Sequence, residues 1–165
     1  MKPEYFHNRV PASVWRNPWH FIAFGCGSGA APVGPGTVGT AIAMIIYLLL
    51  LNRLSWLPYL IFVILFTLFS IWLATKVSRE TGLADPPGMN IDEFVGYFVT
   101  MIAAPPQWYW AFIGFALFRF FDIIKPPPIN WFDRHLKGGF GIIFDDILAG
   151  IFSAIILQIL FWIFH

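Results

Sequence analysis

At 165 residues, with 58% apolar, 19% aromatic and 12% charged residues, the chain is too apolar for a water-soluble domain of its size and belongs in a bilayer. A net charge of +1 excludes the broad basic field that recruits nucleic acid, and a lone cysteine, Cys26, excludes an internal disulfide. No hydrophilic linker divides the chain, so residues 1–165 are expected to form one membrane-embedded domain.

Residues 1–20 mix Lys2, Arg9 and Arg16 with Pro3, Pro11 and Pro18. They lack the continuous apolar stretch of a cleavable signal and read as an interfacial segment. A glycine-rich run follows from Gly25 to Thr37. Its backbone N–H groups suit an anion, with Ser28 and Thr37 as candidate phosphate-binding residues and Thr37 also the expected cap of the next helix. The Gly-Lys-Ser/Thr ending of a Walker loop is missing, and close helix packing is the alternative use of the glycines.

Thr37 to Leu51 and Leu57 to Thr75 read as two spans joined by the turn Asn52 to Trp56. The apolar region Phe94 to Phe121 is too long for one ordinary helix and is cut by Pro105-Pro106. It splits into two antiparallel pieces, of which Ile91 to Ala104, about 21 Å long, is short for a full crossing. Gly138-Gly139-Phe140-Gly141 lets the chain turn, and the last helix runs from Asp146 to Phe164. The expected fold is an all-α integral membrane protein, a compact bundle of about five transmembrane or partly re-entrant helices.

With five passes the charges sort. Lys2, Arg9, Arg16, Lys76, Arg79, Arg119, Lys125, Arg134 and Lys137 fall on one face, and Arg53 alone on the other. By the positive-inside rule the basic face is cytoplasmic, while Trp56, Tyr59, Trp108, Tyr109, Trp110 and Trp162 form an aromatic belt toward the opposite face.

The basic face also gathers the acids: Asp92 and Glu93 at the start of one helix, Asp122 at the end of the next, Asp133 in a loop, and Asp145 and Asp146 at the start of the last. Carboxylates converging near hydrocarbon share a cation, pair with bases or trade a proton. Their hard oxygens favour magnesium. Helix capping is the alternative, but it does not account for adjacent pairs or for Asp122 near a helix C-terminus. Arg119 and Asp122 share a helix face with Lys125 just beyond, an arrangement able to hold a phosphomonoester or simply to form an interfacial ion pair.

Cys26 is not followed by the arginine of a Cys-x5-Arg phosphatase loop and is expected to pack. His7, His20, His135 and His165 lack the paired spacing of a zinc site. A hydrogen-bonded structural role suits His20. The missing Asp-x-Asp-x-Thr motif favours metal-activated water over an aspartyl-phosphate.

Asn17-Pro-Trp-His20, Gly27-Ser-Gly29, Pro35-Gly-Thr37, Asp92-Glu-Phe-Val-Gly96, Arg119-x-x-Asp122-x-x-Lys-Pro126, Pro128-Ile129, Phe132-Asp133 and Gly138-Gly139-x-Gly-Ile142-x-x-Asp145-Asp146-x-x-Ala-Gly150 together resemble the phosphatidylglycerophosphatase A family of bacterial inner-membrane enzymes. The resemblance implies magnesium-dependent hydrolysis of phosphatidylglycerophosphate to phosphatidylglycerol and phosphate in phospholipid biosynthesis, by a multi-pass protein with a cytoplasmic site. Under that reading Asp92, Glu93, Asp122, Asp145 and Asp146 are the catalytic and magnesium-binding residues, with Glu93 a further ligand or the general base. Arg119 and Lys125 would then bind the phosphate. The competing expectation is an ion-coupled small-solute transporter, whose sites usually lie near the bilayer midplane.

Overall fold

The computed structural model describes residues 5–6, 10–136 and 138–164. Lys2, His7, Arg9, Lys137 and His165 lie outside them. Among the described residues the regular elements are helices apart from a short antiparallel pair, β1 (Tyr5–Phe6) and β2 (Val10–Pro11).

The first helix, α1 (Pro18–Ala23), is capped by Asn17, whose side chain accepts the Trp19 N–H at 2.9 Å, with Pro18 at the position where a missing N–H costs nothing. The next, α2 (Pro35–Ile46), starts after Gly34, which takes a left-handed conformation, and runs on through a wider turn at Tyr47–Leu51. Its cap is therefore Gly34 and not Thr37, because Pro35 is itself a favourable first helical residue.

Among the described residues, two helices are long and apolar enough to cross a membrane: α3 (Trp56–Thr81) and α7 (Gly138–Phe164). Gly82 ends α3 in the left-handed conformation, which lacks a Cβ penalty there. Between them α4 (Ile91–Thr100) and α5 (Tyr109–Ile124) are about 15 and 24 Å long. They are joined through Pro105-Pro106, as the sequence predicts, and α6 (Ile129–His135) follows the prolines after α5.

The structure departs from expectation at α7 and α6. The last helix begins at Gly138, so Asp145 and Asp146 sit beyond its first turn rather than at its start. Helix-poor glycines are tolerated there because α7 packs too closely for side chains: a Cβ on Gly139 would meet the Thr75 backbone and Ile71 carbonyl of α3. Asp133 belongs to α6 rather than to a loop, since prolines can precede a helix they could not continue.

Packing centres on α4, buried everywhere except for partial exposure at Asp92 and Glu93, and on its contact with α7. The two cross at a pair of glycines, where a Cβ on Gly96 would lie 2.8 Å from the Asp146 carbonyl and one on Gly150 would lie 3.0 Å from the Val99 side chain. Small residues at such a crossing bring the two backbones together. Of the expected aromatic belt, Trp56, Trp108 and Trp162 are exposed, whereas Tyr59 and Trp110 turn into the core.

Candidate active site

The crossing of α4 and α7 brings Asp92 and Glu93, in the first turn of α4, against Asp146. One carboxylate oxygen from each can be chosen so that all three lie within 4.8 Å of one another. Two oxygens on one magnesium ion lie at most ~4.2 Å apart, a spacing that small side-chain rotations reach. Asp146 is 3% exposed. Asp92 Oδ1, Glu93 Oε2 and Asp146 Oδ2 are buried without a hydrogen-bond partner. Leaving such oxygens unsatisfied is costly, so the triad fits a hard divalent cation.

Around it opens a half-enclosed cavity of about 470 Å³, with Asp85, Asp92, Glu93, Asp122, Asp133, Asp145 and Asp146 in its wall. Lys125 is the one basic residue lining it among the described residues. Pro86, Pro87, Met89, Leu136 and Ile142 supply an apolar rim. A wall so acidic repels a phosphate unless cations intervene.

Lys125 occupies the C-cap of α5 with φ 44°, a left-handed conformation uncommon for a lysine. Its ammonium donates to Asp133 Oδ1 at 2.7 Å and to Asp145. Partial burial works against that charge, but the two carboxylates outweigh it and hold the lysine above its ordinary range.

Arg119 stands elsewhere. Its Nη1 lies 2.5 Å from Asp122 Oδ2, 3.9 Å from Glu93 Oε1 and 3.5 Å from Thr40 Oγ1, and it does not line the cavity. Ser28 and Thr37 are absent from the wall as well. Ser28 is buried and accepts the Asn90 amide at 2.8 Å, whereas Thr37 is exposed on α2. The cavity thus gathers the five expected acids and Lys125, and leaves out Arg119, Ser28 and Thr37.

Three polar residues not singled out in the sequence organise the surroundings. Asn90, 1% exposed, donates to Ser28 and to the Pro35 carbonyl at 3.1 Å, tying the glycine-rich run and α2 to the start of α4. Thr40 reaches Arg119 from α2. Glu80 accepts His20 Nε2 at 2.8 Å and pairs with Lys76 at 2.6 Å, while His20 Nδ1 meets Ser13 at 2.9 Å. His20 is thus fully hydrogen-bonded, and α1 is anchored to the charged end of α3. Cys26 is exposed with φ 56°, not packed, because it sits between two glycines in a left-handed turn.

The phosphatidylglycerophosphatase A family profile matches residues 21–161. Curated relatives named phosphatidylglycerophosphatase A include one from Escherichia coli, 41% identical over 142 residues (86% of this chain and 82% of the relative), and one from Haemophilus influenzae, 42% identical over 148 residues (88% and 91%). A Bacteroides thetaiotaomicron relative, 40% identical over 149 residues (86% and 92%), is provisionally named a phosphatidylinositol-3-phosphatase. No solved structure matches.

Proposed function

The chain belongs to the phosphatidylglycerophosphatase A family, and from that premise we propose that it hydrolyses phosphatidylglycerophosphate to phosphatidylglycerol and phosphate, as a step of phospholipid biosynthesis. The observation that carries the reading is the convergence of Asp92, Glu93 and Asp146, each with one buried oxygen that lacks a partner, beside one cavity at the charged end of the bundle. A terminal phosphomonoester on a lipid headgroup is presented at that depth while the acyl chains stay in the bilayer. We place this end at the cytoplasmic face of a bacterial inner membrane, with α2, α3, the α4–α5 pair and α7 as the membrane-embedded passes.

Asp92, Glu93 and Asp146 would hold magnesium, which when bound polarises the phosphoryl group and lowers the pKa of an attacking water. Asp122 and Asp145 extend the carboxylate wall beside that triad. Glu93, which lines the cavity, would be a further ligand or the general base that takes the proton of the attacking water and returns it to the departing glycerol oxygen. Lys125 supplies the cation for the phosphate oxygens, exchanging its hold on Asp133 and Asp145 for the substrate. The apolar rim limits water around the reacting group. A transport reading gains nothing here, because the acids meet near one end of the bundle rather than midway along it.

The test is phosphate release by purified protein in detergent, offered phosphatidylglycerophosphate, phosphatidylinositol-3-phosphate or phosphatidic acid with magnesium. Fastest release from phosphatidylglycerophosphate is expected. No release from any of the three by folded protein would remove the phosphatase assignment, and faster turnover of the inositol lipid would move the substrate toward the Bacteroides relative.

A further inference from the structure

Arg119 has the chemistry of a phosphate ligand and the placement of something else. Its side chain is 14% exposed, behind Asp122 and Glu93, which do line the cavity as it does not. Nη1 is shared by Asp122 at 2.5 Å, Glu93 at 3.9 Å and Thr40 Oγ1 at 3.5 Å. The Thr40 hydroxyl gives its own proton to the Gly36 carbonyl at 2.9 Å, so only a lone pair is left to face the guanidinium. Thr40 is fully buried, and a Cβ on Gly36 would collide with Glu93 Oε1 and come within 3.2 Å of Arg119 Nη1. The first turns of α2 are therefore shaped to receive this ion pair.

We propose that Arg119 is a positioning residue: held by Thr40, it fixes Asp122 and Glu93 in the cavity wall and leaves the substrate's phosphate to Lys125. A permanently charged guanidinium suits this role, because its Nη1 alone donates to Asp122 and Thr40 while its charge reaches Glu93 at 3.9 Å. The role rests on the phosphatase reading, with the carboxylate triad as a divalent-cation site. It accounts for the Pro35-Gly36-Thr37 segment as a packing surface for Glu93 rather than a phosphate loop.

The experiment compares wild type with Arg119→Lys and Thr40→Val in detergent. Three quantities are read: Mn²⁺ affinity by electron paramagnetic resonance on the protein alone, kcat and KM for phosphatidylglycerophosphate, and the inhibition constant of inorganic phosphate. Both variants are expected to weaken Mn²⁺ binding and lower kcat by about tenfold or more, with KM and phosphate inhibition held within about threefold. Thr40→Val removes no charge and lies outside the cavity, so it separates positioning from electrostatics even where Arg119→Lys folds poorly. A phosphate inhibition constant raised about tenfold in Arg119→Lys, with Mn²⁺ affinity unchanged in both variants, overturns the proposal and makes Arg119 a phosphate ligand. Should wild type release no phosphate, the phosphatase reading falls separately, and the Mn²⁺ titration still decides what Arg119 does.

Discussion

Gly150→Ala tests whether the α4–α7 crossing sets the geometry of the site. Gly150 lies one turn beyond Asp146 on α7, and a Cβ there would sit 2.5 Å from the Gly96 carbonyl oxygen and 3.0 Å from Val99 Cβ and Cγ1. A carbon and a carbonyl oxygen settle at about 3.3 Å, so the two helices must part locally by about 0.8 Å. Such overpacking costs about 1–3 kcal/mol, and replacing glycine within a helix returns about 1 kcal/mol. The net loss of about 0–2 kcal/mol lowers the melting temperature by only a few degrees. The site suffers more, because Asp146 moves with α7 while Glu93 stays on α4, and a misplacement near 1 Å costs up to about a hundredfold in rate. The expected result is kcat reduced about 10- to 100-fold in a protein that still melts cooperatively, read from phosphate release and thermal unfolding in the same detergent. Full activity in Gly150→Ala would refute the claim that this crossing positions the carboxylates.

Lys125→Met removes the ammonium that bridges Asp133 and Asp145. It is expected to raise KM for the lipid phosphate about tenfold, with Lys125→Arg retaining part of the affinity, since a charged hydrogen bond is worth about 1.5–3 kcal/mol. Because the folded-state pKa of Lys125 lies above its ordinary value, its ionic contribution is complete below that ordinary value and is lost only as pH rises through the folded one. KM profiles taken from pH 6 to 9 should therefore show no inflection that disappears in Lys125→Met. Cys26→Gly relieves a left-handed residue that makes no disulfide and should add about 1 kcal/mol of stability with activity unchanged, measured by thermal unfolding. His20→Ala cuts the links to Ser13 and Glu80 and should destabilise by about 1–2 kcal/mol while leaving the magnesium requirement intact.

The apolar stretches and the break at Pro105-Pro106 were legible because helix length and proline chemistry are local properties of the sequence. The acid pairs were legible for a related reason: a charge placed beside hydrocarbon needs a partner wherever it lies. What escaped the sequence depends on contacts distant along it. Asn90 meets Ser28 across 62 residues, Arg119 meets Thr40 across 79 and His20 meets Glu80 across 60. No periodicity announces such pairs, so Ser28 read as a phosphate ligand when its hydroxyl accepts a buried amide. The start of α7 escapes the sequence for a different reason: the run of glycines looks like a turn until the close approach of Gly139 to α3 and of Gly141 to Leu136 is seen. Arg119 and Lys125 looked alike as cations near Asp122. The burial of the first and the cavity position of the second separate their roles.

The most direct measurement is a magnesium titration of phosphate release from phosphatidylglycerophosphate, with a chelator arm, for wild type, Asp92→Asn and Asp146→Asn. Release that requires magnesium in wild type and is lost in both variants, each of them still folded, is the predicted result. Magnesium-independent release, or wild-type rates in either variant, would contradict the account and move the chemistry away from the α4–α7 carboxylates.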